Sequence, residues 1–384
     1  MSLPPGNISA PNLTQNCNLF YDDFSNGFSP NTPTSPYQYF TPTSTDAAGG
    51  ITASKNNLTI RSSPYTYTAP TPLDSIKYAV VTKNYFNAPS TGELVFETIM
   101  SAQQTGLSGL PDYLKSTDGG VIGVNNVNSD VRLSYGYFAI GDLITTLLIC
   151  GFILTNEDIY VTYVRPPFGK VQYGGPGPDY NSFECIIPVR KRNVIDPSND
   201  FVKLSLGYNY TENYIRYSIN DEEVYRINRL GFPIERQYEI LNNNTPNQLN
   251  PSTQLLRPTQ FGFAILNESN MSAYNPQNPG NLQNAGLVDL TAGGTLPQSD
   301  PKPNVDGTNK PCAFLAQYNQ EGMNGTLFGQ GVNTSFKYFA VYTLNPFPGP
   351  LVFPDIHSNK QKILITTAQE NAINGVNSTP YIYQ

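Results

Sequence analysis

The residues able to do chemistry are few. Glycoside hydrolysis through a covalent intermediate needs two carboxyls about 5 Å apart, and on a strand the period of two places such a pair on one face. No Glu-x-Asp-x-(x)-Glu run occurs in the sequence. The nearest candidate is the adjacent pair Glu157-Asp158, whose side chains would face opposite ways on a strand, and Glu97 and Glu184 are isolated acids within strand-like runs. The single histidine is His357, near the C-terminal end, so a Ser-His-Asp or Cys-His arrangement could rest only on it and a multi-histidine metal site is excluded. No P-loop or dinucleotide fingerprint is present, and Gly174-Gly175-Pro176-Gly177 reads as a loop, so no cofactor is expected. Tyr160, Tyr163, Tyr173 and Tyr180 gather around Arg165, a set suited to stacking on sugar rings and hydrogen-bonding their hydroxyls. By alternation Tyr163 and Arg165 share one face and Tyr160 and Val164 the other. The expected ligand-binding residues are therefore Tyr163, Arg165 and Tyr173, with Glu184 and Asp158 as the accompanying acids. The bland reading of the same residues places the rings in the core and uses the arginine to tie loops together.

The elements that must position these residues are strands. The chain has 384 residues, only 13% of them charged, with 26 Tyr, 20 Phe, 33 Pro and 42 Asn. Asn, Ser, Thr, Pro and Gly favour turns over helix interiors, and the aromatic content is too high for a disordered chain. No helical apolar stripe persists over three turns. Strand-like runs instead recur at 58–61, 78–82, 93–101, 131–140, 145–154, 159–164, 183–189, 201–208, 214–219, 223–227, 260–266 and 337–344. The clearest unit is the hairpin from Tyr214 to Ile227 across an Asn220-Asp221 turn. The apolar stretch Leu143–Leu154 is too short to cross a bilayer and reads as two buried strands meeting at a turn. Segments 242–258 and 273–312 read as long surface loops. The expected division is an N-terminal arm over 1–18, one domain over 19–345 and a C-terminal tail over 346–384, with strand-like Lys362–Thr367 and an aromatic end at Tyr381-Ile382-Tyr383.

The bulk numbers narrow the partners. A net charge of −7 and a pI near 4.8 argue against nucleic acid, and Arg190-Lys191-Arg192 reads as a solvated strand end. The opening residues lack a basic and apolar leader, so no standard secretory signal is expected. Ten Asn-x-Ser/Thr sequons are present, which an Asn-rich chain produces by chance. Cys150 and Cys185 sit in apolar runs and Cys17 and Cys312 in polar ones, leaving three disulfide connectivities open.

The hairpin at 214–227, following Val202–Tyr208, resembles the late-strand hairpin of concanavalin A-like lectin and glucanase jelly rolls. Tyr21-Asp22-Asp23-Phe24 resembles the first strand of that fold and Phe336–Tyr342 its closing strand. The chain is more closely similar to an uncharacterised family of such jelly rolls. The matching residues are Leu154-Thr155-Asn156, then Tyr160, Tyr163, Arg165, Pro167 and Phe168. Further matches are Phe183, Pro188-Val189, Arg192, Arg229-Leu230-Gly231 and Arg236-Gln237. An acidic residue often precedes that arginine in the family, and Val164 stands there in this chain. The resemblance spans roughly residues 20–345. It implies an all-β, two-sheet antiparallel jelly-roll sandwich of the concanavalin A-like type, with long loops and extended terminal arms. The glucanases of this fold carry the paired-acid strand that this chain lacks. Lectin-like jelly rolls often hold calcium, to which Asp22 and Asp23 could contribute, but Lys337 stands where related enzymes place an acidic ligand, and structural calcium is not favoured. The leading expectation is a non-catalytic jelly roll of a surface or assembled coat (virion, spore or cell surface) with glycan as ligand and self-association through sheet edges or terminal arms. The alternative is a polysaccharide hydrolase or lyase drawing its acid from Glu97, Asp158 and Glu184.

Overall fold

The computed structural model describes residues 17–66 except 43, 76–109, 126–165 except 132, 183–192, 195–242 except 233 and 235–238, 255–269, 272–273, 288–289 and 329–344. Nineteen strands are numbered in chain order. One sheet, the closing sheet, runs β14 (Glu222–Asn228), β13 (Tyr214–Ile219), β12 (Val202–Asn209), β7 (Glu93–Thr105), β19 (Gly331–Leu344), β4 (Asn57–Ser62) and β3 (Gly50–Ser54), with β1 (Cys17–Asp22) also paired to β19. The second sheet runs β15 (Glu239–Asn242), β11 (Phe183–Lys191), β10 (Asp158–Arg165), β9 (Leu148–Leu154), β8 (Tyr135–Asp142), β16 (Gln260–Glu268), β5 (Ile76–Thr82) and β2 (Tyr37–Tyr39), with β6 (Phe86–Asn87) also paired to β16. A two-residue parallel pair, β17 (Ser272–Ala273) and β18 (Val288–Asp289), stands apart. All ladders in the two large sheets are antiparallel. The protein is a two-sheet antiparallel jelly roll, and among the described residues the helical content is one short 3-10 turn, Leu107–Gly109.

Each of the twelve expected runs contains a strand. The strand-rich composition and period-two alternation were sufficient because inward residues are apolar and mostly β-branched or aromatic. The Asn220-Asp221 turn has φ of 52° and 67°, the left-handed pair that matches the twist of a two-residue hairpin. The two buried strands expected to meet at a turn around the apolar stretch are β8 and β9, paired antiparallel. Asp142 ends β8, and its carboxylate accepts from the backbone N–H of Ile144, Thr145 and Thr146 and from both threonine hydroxyls, so 143–147 is a capped turn that leaves Ile144 61% exposed. β1 includes Cys17 and Asn18, which the expected division placed in the N-terminal arm. The long-loop segments lie almost wholly outside the described residues, as does the tail.

Between the sheets the core is aromatic. The Phe263 ring meets Phe20, Tyr37, Phe96, Phe138 and Phe339 at centroid distances of 5.1–6.4 Å. The sheets pack tightly at Gly136, where a Cβ would lie 2.4 Å from Thr334 Cγ2.

Cys150 and Cys185 are both buried free thiols. Each is the ladder partner of Tyr163, one on either side, so they stand two strand spacings apart, about 10 Å, beyond disulfide reach. Burial pushes the Cys150 thiol up to about 12. A thiol reagent at pH 8 is expected to leave both unlabelled in the folded protein and to label both fully in guanidinium. Peptide mass mapping showing rapid native labelling at either position would refute the packing described.

Candidate functional site

β10 carries most of the residues selected from sequence, and its two faces have different fates. Ile159, Val161 and Tyr163 point between the sheets and belong to the core. Asp158, Tyr160, Thr162 and Val164 take the opposite, outer face of the second sheet, where Tyr160 packs beside Tyr135, Tyr137, Ala139, Ile153 and Ile186. The alternation placed Tyr163 with Arg165 correctly but on the wrong side of the sheet for ligand contact. Tyr163 is 0% exposed, lies against the Phe183 ring and accepts the Gly231 N–H at 2.6 Å. Arg165 is buried beside it. The core reading of these two residues is the one the structure supports, because Ile159 and Val161 share their parity and take the strand face inward. Tyr173 lies outside the described residues. Glu184 is the ladder partner of Val164, and its side chain also lies outside the described residues.

Asp158 is therefore the selected residue placed on the outer face. Its Oδ2 lies 2.8 Å from the Lys191 Nζ and 3.4 Å from the Tyr160 hydroxyl, which also donates to the Ser129 carbonyl at 2.7 Å. Burial and the Asp158 charge raise the Tyr160 phenol above its ordinary value. Farther across the sheet the Tyr137 hydroxyl meets Thr162 Oγ1 at 2.7 Å, and the Tyr137 ring occupies the space over Gly151, where a Cβ would lie 2.4 Å from a ring carbon. The Tyr135 hydroxyl donates to Glu268 Oε2, and the buried Lys77 is on the same face of β5. Sequence reasoning missed Glu268, Lys77, Tyr135 and Tyr137. The signal for Glu268 was present, since it ends the alternating set Gly262, Ala264, Leu266, Glu268.

The spacing of Asp158 and Glu268, two outer-face carboxylates among the described side chains, decides what they can do together. Glu268 pairs with Tyr135, the adjacent Gly136 with Leu154, and Leu154 with Ile159, so Glu268 and Asp158 lie in nearly the same row on strands three spacings apart. Their backbones are therefore about 14 Å apart, and the Asp158 carboxylate is held by Lys191 on β11, on the side away from Glu268, whereas a retaining carboxyl pair needs about 5 Å and an inverting pair 6.5–9.5 Å. Glu97 cannot join either of them. It lies on the outer face of the closing sheet, with Tyr338 and Tyr342 donating to it at 2.6 and 2.9 Å and Lys203 at 3.5 Å. On that same face Glu93, 0% exposed, takes Arg216 at 2.6 Å and the Tyr214 hydroxyl at 2.8 Å.

Asp22 and Asp23 serve the first turn. Asp22 accepts from Tyr37 and the Phe24 N–H, and Asp23 from the Ser25 N–H. Lys337 extends over the Phe201 ring at 3.9 Å. Among the described residues no three His, Cys, Asp or Glu side chains converge as a metal site, and no helix is long and apolar enough to cross a membrane.

The family motif residues form a joint between the sheets. Thr155 exchanges hydrogen bonds with the Asp158 backbone, and Asn156 and Gln104 bond reciprocally, Gln104 N to Asn156 Oδ1 at 2.8 Å and Asn156 N to Gln104 Oε1 at 2.9 Å. Arg192 donates to the carbonyls of Ala102, Thr155, Pro197 and Asp200 and to the Asp200 carboxylate. The other two basic neighbours are also paired, Arg190 with Glu222 and Lys191 with Asp158.

An uncharacterised protein, L829, of Acanthamoeba polyphaga mimivirus is 24% identical over 373 residues, covering 79% of this chain and 83% of that protein. Among solved structures, the endo-1,3-beta-glucanase from Streptomyces sioyaensis matches with a TM-score of 0.41 at 12% identity, over 90% of this chain and 100% of that one. LamAcat from Zobellia galactanivorans matches with a TM-score of 0.39 at 10% identity, over 86% and 98%. The model of a family of unknown function, DUF6081, matches residues 21–345, nearly the whole of the sandwich, and the chain belongs to that family.

Proposed function

We propose that the protein is a non-catalytic jelly roll displayed at a surface, where it contacts glycans through the rim of the second sheet's outer face at Asp158, Tyr160 and Lys191. The observation that carries the reading is the placement of the Asp158 and Glu268 carboxylates on strands whose backbones stand about 14 Å apart, each already bound to its own partner. A half-buried aromatic ring and an exposed amine held in place by the buried Asp158 carboxylate at one rim suit stacking and hydrogen bonding with a neutral or acidic sugar. The low charge content supports the surface setting, since a polar uncharged exterior packs against neighbours without desolvating many ions.

A glycan panel is expected to give binding without turnover. Tyr160→Ala should weaken it at least tenfold, while Tyr160→Phe, which keeps the ring, should retain most of it. Release of reducing ends or unsaturated uronates that disappears in Asp158→Asn would overturn the non-catalytic reading. A panel without a single binder would sink the glycan part.

A further inference from the structure

Glu157, the other acid of the Glu157-Asp158 pair, borders the same rim from the turn before β10. Its N–H donates to the Asn128 carbonyl at 3.0 Å and its carbonyl accepts the Arg192 N–H at 2.6 Å, so the backbone of the turn is fixed. Its carboxylate accepts the side-chain amide of Asn126 at 2.6 Å. Asn126 also organises the residues that follow it. Its side-chain oxygen accepts the Asn128 N–H at 3.0 Å, and its carbonyl accepts the N–H groups of Ser129 and Asp130 at 3.2 and 3.0 Å. The Ser129 carbonyl in turn takes the Tyr160 hydroxyl at 2.7 Å. The amide–carboxylate pair and the Tyr160 ring are thus parts of one hydrogen-bonded unit, in which Asn126 is exposed and Glu157 and Tyr160 are half-buried.

The chemistry of that unit is selective. An Asn side chain offers donors and an acceptor, and a carboxylate has about four acceptor sites, of which the Asn126 amide fills one. Side by side at a surface, the two groups suit neighbouring hydroxyls of a sugar whose ring stacks on Tyr160. Charge then sets the class of sugar. Each cation of the basic triplet has its own carboxylate: Arg190 has Glu222, Lys191 has Asp158 and Arg192 has Asp200. Glu157 is met instead by a neutral amide, and the charges of Asp158 and Asp130 both reach the Tyr160 phenol. A sugar carboxylate laid against Tyr160 would face these fixed negative charges, and like-charge contact of this kind is how binding sites reject a wrong ligand. Given that the rim binds glycans, as proposed above, we infer that Glu157 and Asn126 read a pair of adjacent sugar hydroxyls and that the site takes uncharged glycans and rejects uronates.

Titration calorimetry on the full chain tests this with hexasaccharides of glucose, mannose and N-acetylglucosamine, each also supplied with its C6 hydroxyls oxidised to carboxylates. The native protein should bind a neutral member at least tenfold more tightly than its oxidised counterpart. Salt should narrow that gap by screening the repulsion, with little change for the neutral sugar. Glu157→Gln keeps the size of the side chain and removes its charge, and should cut the neutral-over-oxidised ratio at least threefold. Glu212→Gln removes the same charge from the exposed turn between β12 and β13, at the other end of the sandwich, and should leave the ratio unchanged. Oxidised sugars bound as tightly as neutral ones, a ratio that Glu157→Gln does not move, or equal changes in the two variants would each overturn the assignment. If Glu157→Gln fails to fold, the native salt dependence still decides, and a gap insensitive to salt counts against it. A panel without a single binder removes the glycan reading itself, whereas a binder indifferent to oxidation removes only the selectivity.

Discussion

Above pH 10 the protein is expected to lose its fold within about one pH unit, driven by its own tyrosines. Tyr37, Tyr65, Tyr78, Tyr163, Tyr208, Tyr214, Tyr217, Tyr338 and Tyr342 are each at most 7% exposed, and burial raises every one of these phenols above its ordinary value of 10. Neighbouring carboxylates add to the effect at Tyr37, beside Asp22, at Tyr214, beside Glu93, and at Tyr338 and Tyr342, which share Glu97. A phenolate at any of the nine would be desolvated, and at these four it would also face an existing negative charge. The sign follows from proton counting. Below pH 10 folded and unfolded chains both hold these protons and the stability is fully present; above it the unfolded chain releases them while the fold cannot, so stability falls as pH rises. At pH 11, one unit above the unfolded phenol's value, each such group costs on the order of 1 kcal/mol, and the nine together cost on the order of 10 kcal/mol, the size of a whole domain's stability. Tyrosinate absorbance at 295 nm and far-ultraviolet circular dichroism, followed from pH 8 to 12, should show a smooth early phase from the accessible members of the 26 tyrosines. A single steep step should follow, coincident with loss of ellipticity, between about pH 10.5 and 11.5. If all the tyrosines titrated smoothly near pH 10 with the ellipticity intact, the core as described would be wrong.

This behaviour reflects what was legible in the sequence and what was not. The strands could be read because inward positions follow a period of two, and the 214–219 run matches β13 to the residue. The fold class followed from the same pattern. The binding face could not be fixed so simply. Alternation says which residues travel together, but on β10 both parities carry a tyrosine, and only the company of Ile159 and Val161 shows that Tyr163 and Arg165 turn inward. The polar residues Asp158 and Thr162 on the other parity were the available signal for the outer face. Pairings across the sheet lay further out of reach. Glu268 stands beside Tyr135 and three strands from Asp158 through register, which depends on loops that separate these residues by more than a hundred positions. Glu93 and Glu97 look like isolated acids in the sequence because Arg216, Tyr338 and Tyr342 reach them from strands over a hundred residues away.

Arg192 illustrates the same limit and carries the second large effect. In the sequence it is the last of three consecutive basic residues and reads as solvated. In the fold its side chain is 1% exposed and joins three parts of the sandwich: the Ala102 carbonyl near the end of β7, the Thr155 carbonyl in the turn between β9 and β10, and the loop of Pro197 and Asp200. Those carbonyls come from both sheets, and together with the reciprocal Asn156–Gln104 bonds they hold one end of the sandwich closed. Replacing the arginine with an apolar side chain of similar length leaves several acceptors and the partly buried Asp200 carboxylate without a donor, and removal of one member of a buried ionic pair typically costs about 3–5 kcal/mol. Arg192→Met is therefore expected to lower the unfolding free energy in urea by about that amount. Arg190→Met removes only a bridge to Glu222, which is 72% exposed, and should cost no more than about 1 kcal/mol. Arg192→Lys keeps the charge but loses the planar fork that serves several carbonyls at once, so it should recover only part of the loss. Equal midpoints for Arg192→Met and Arg190→Met would show that the joint contributes nothing specific. A loss confined to Arg192→Met would instead show that this arginine fastens the two sheets together, a role its place at the end of a basic triplet does not reveal.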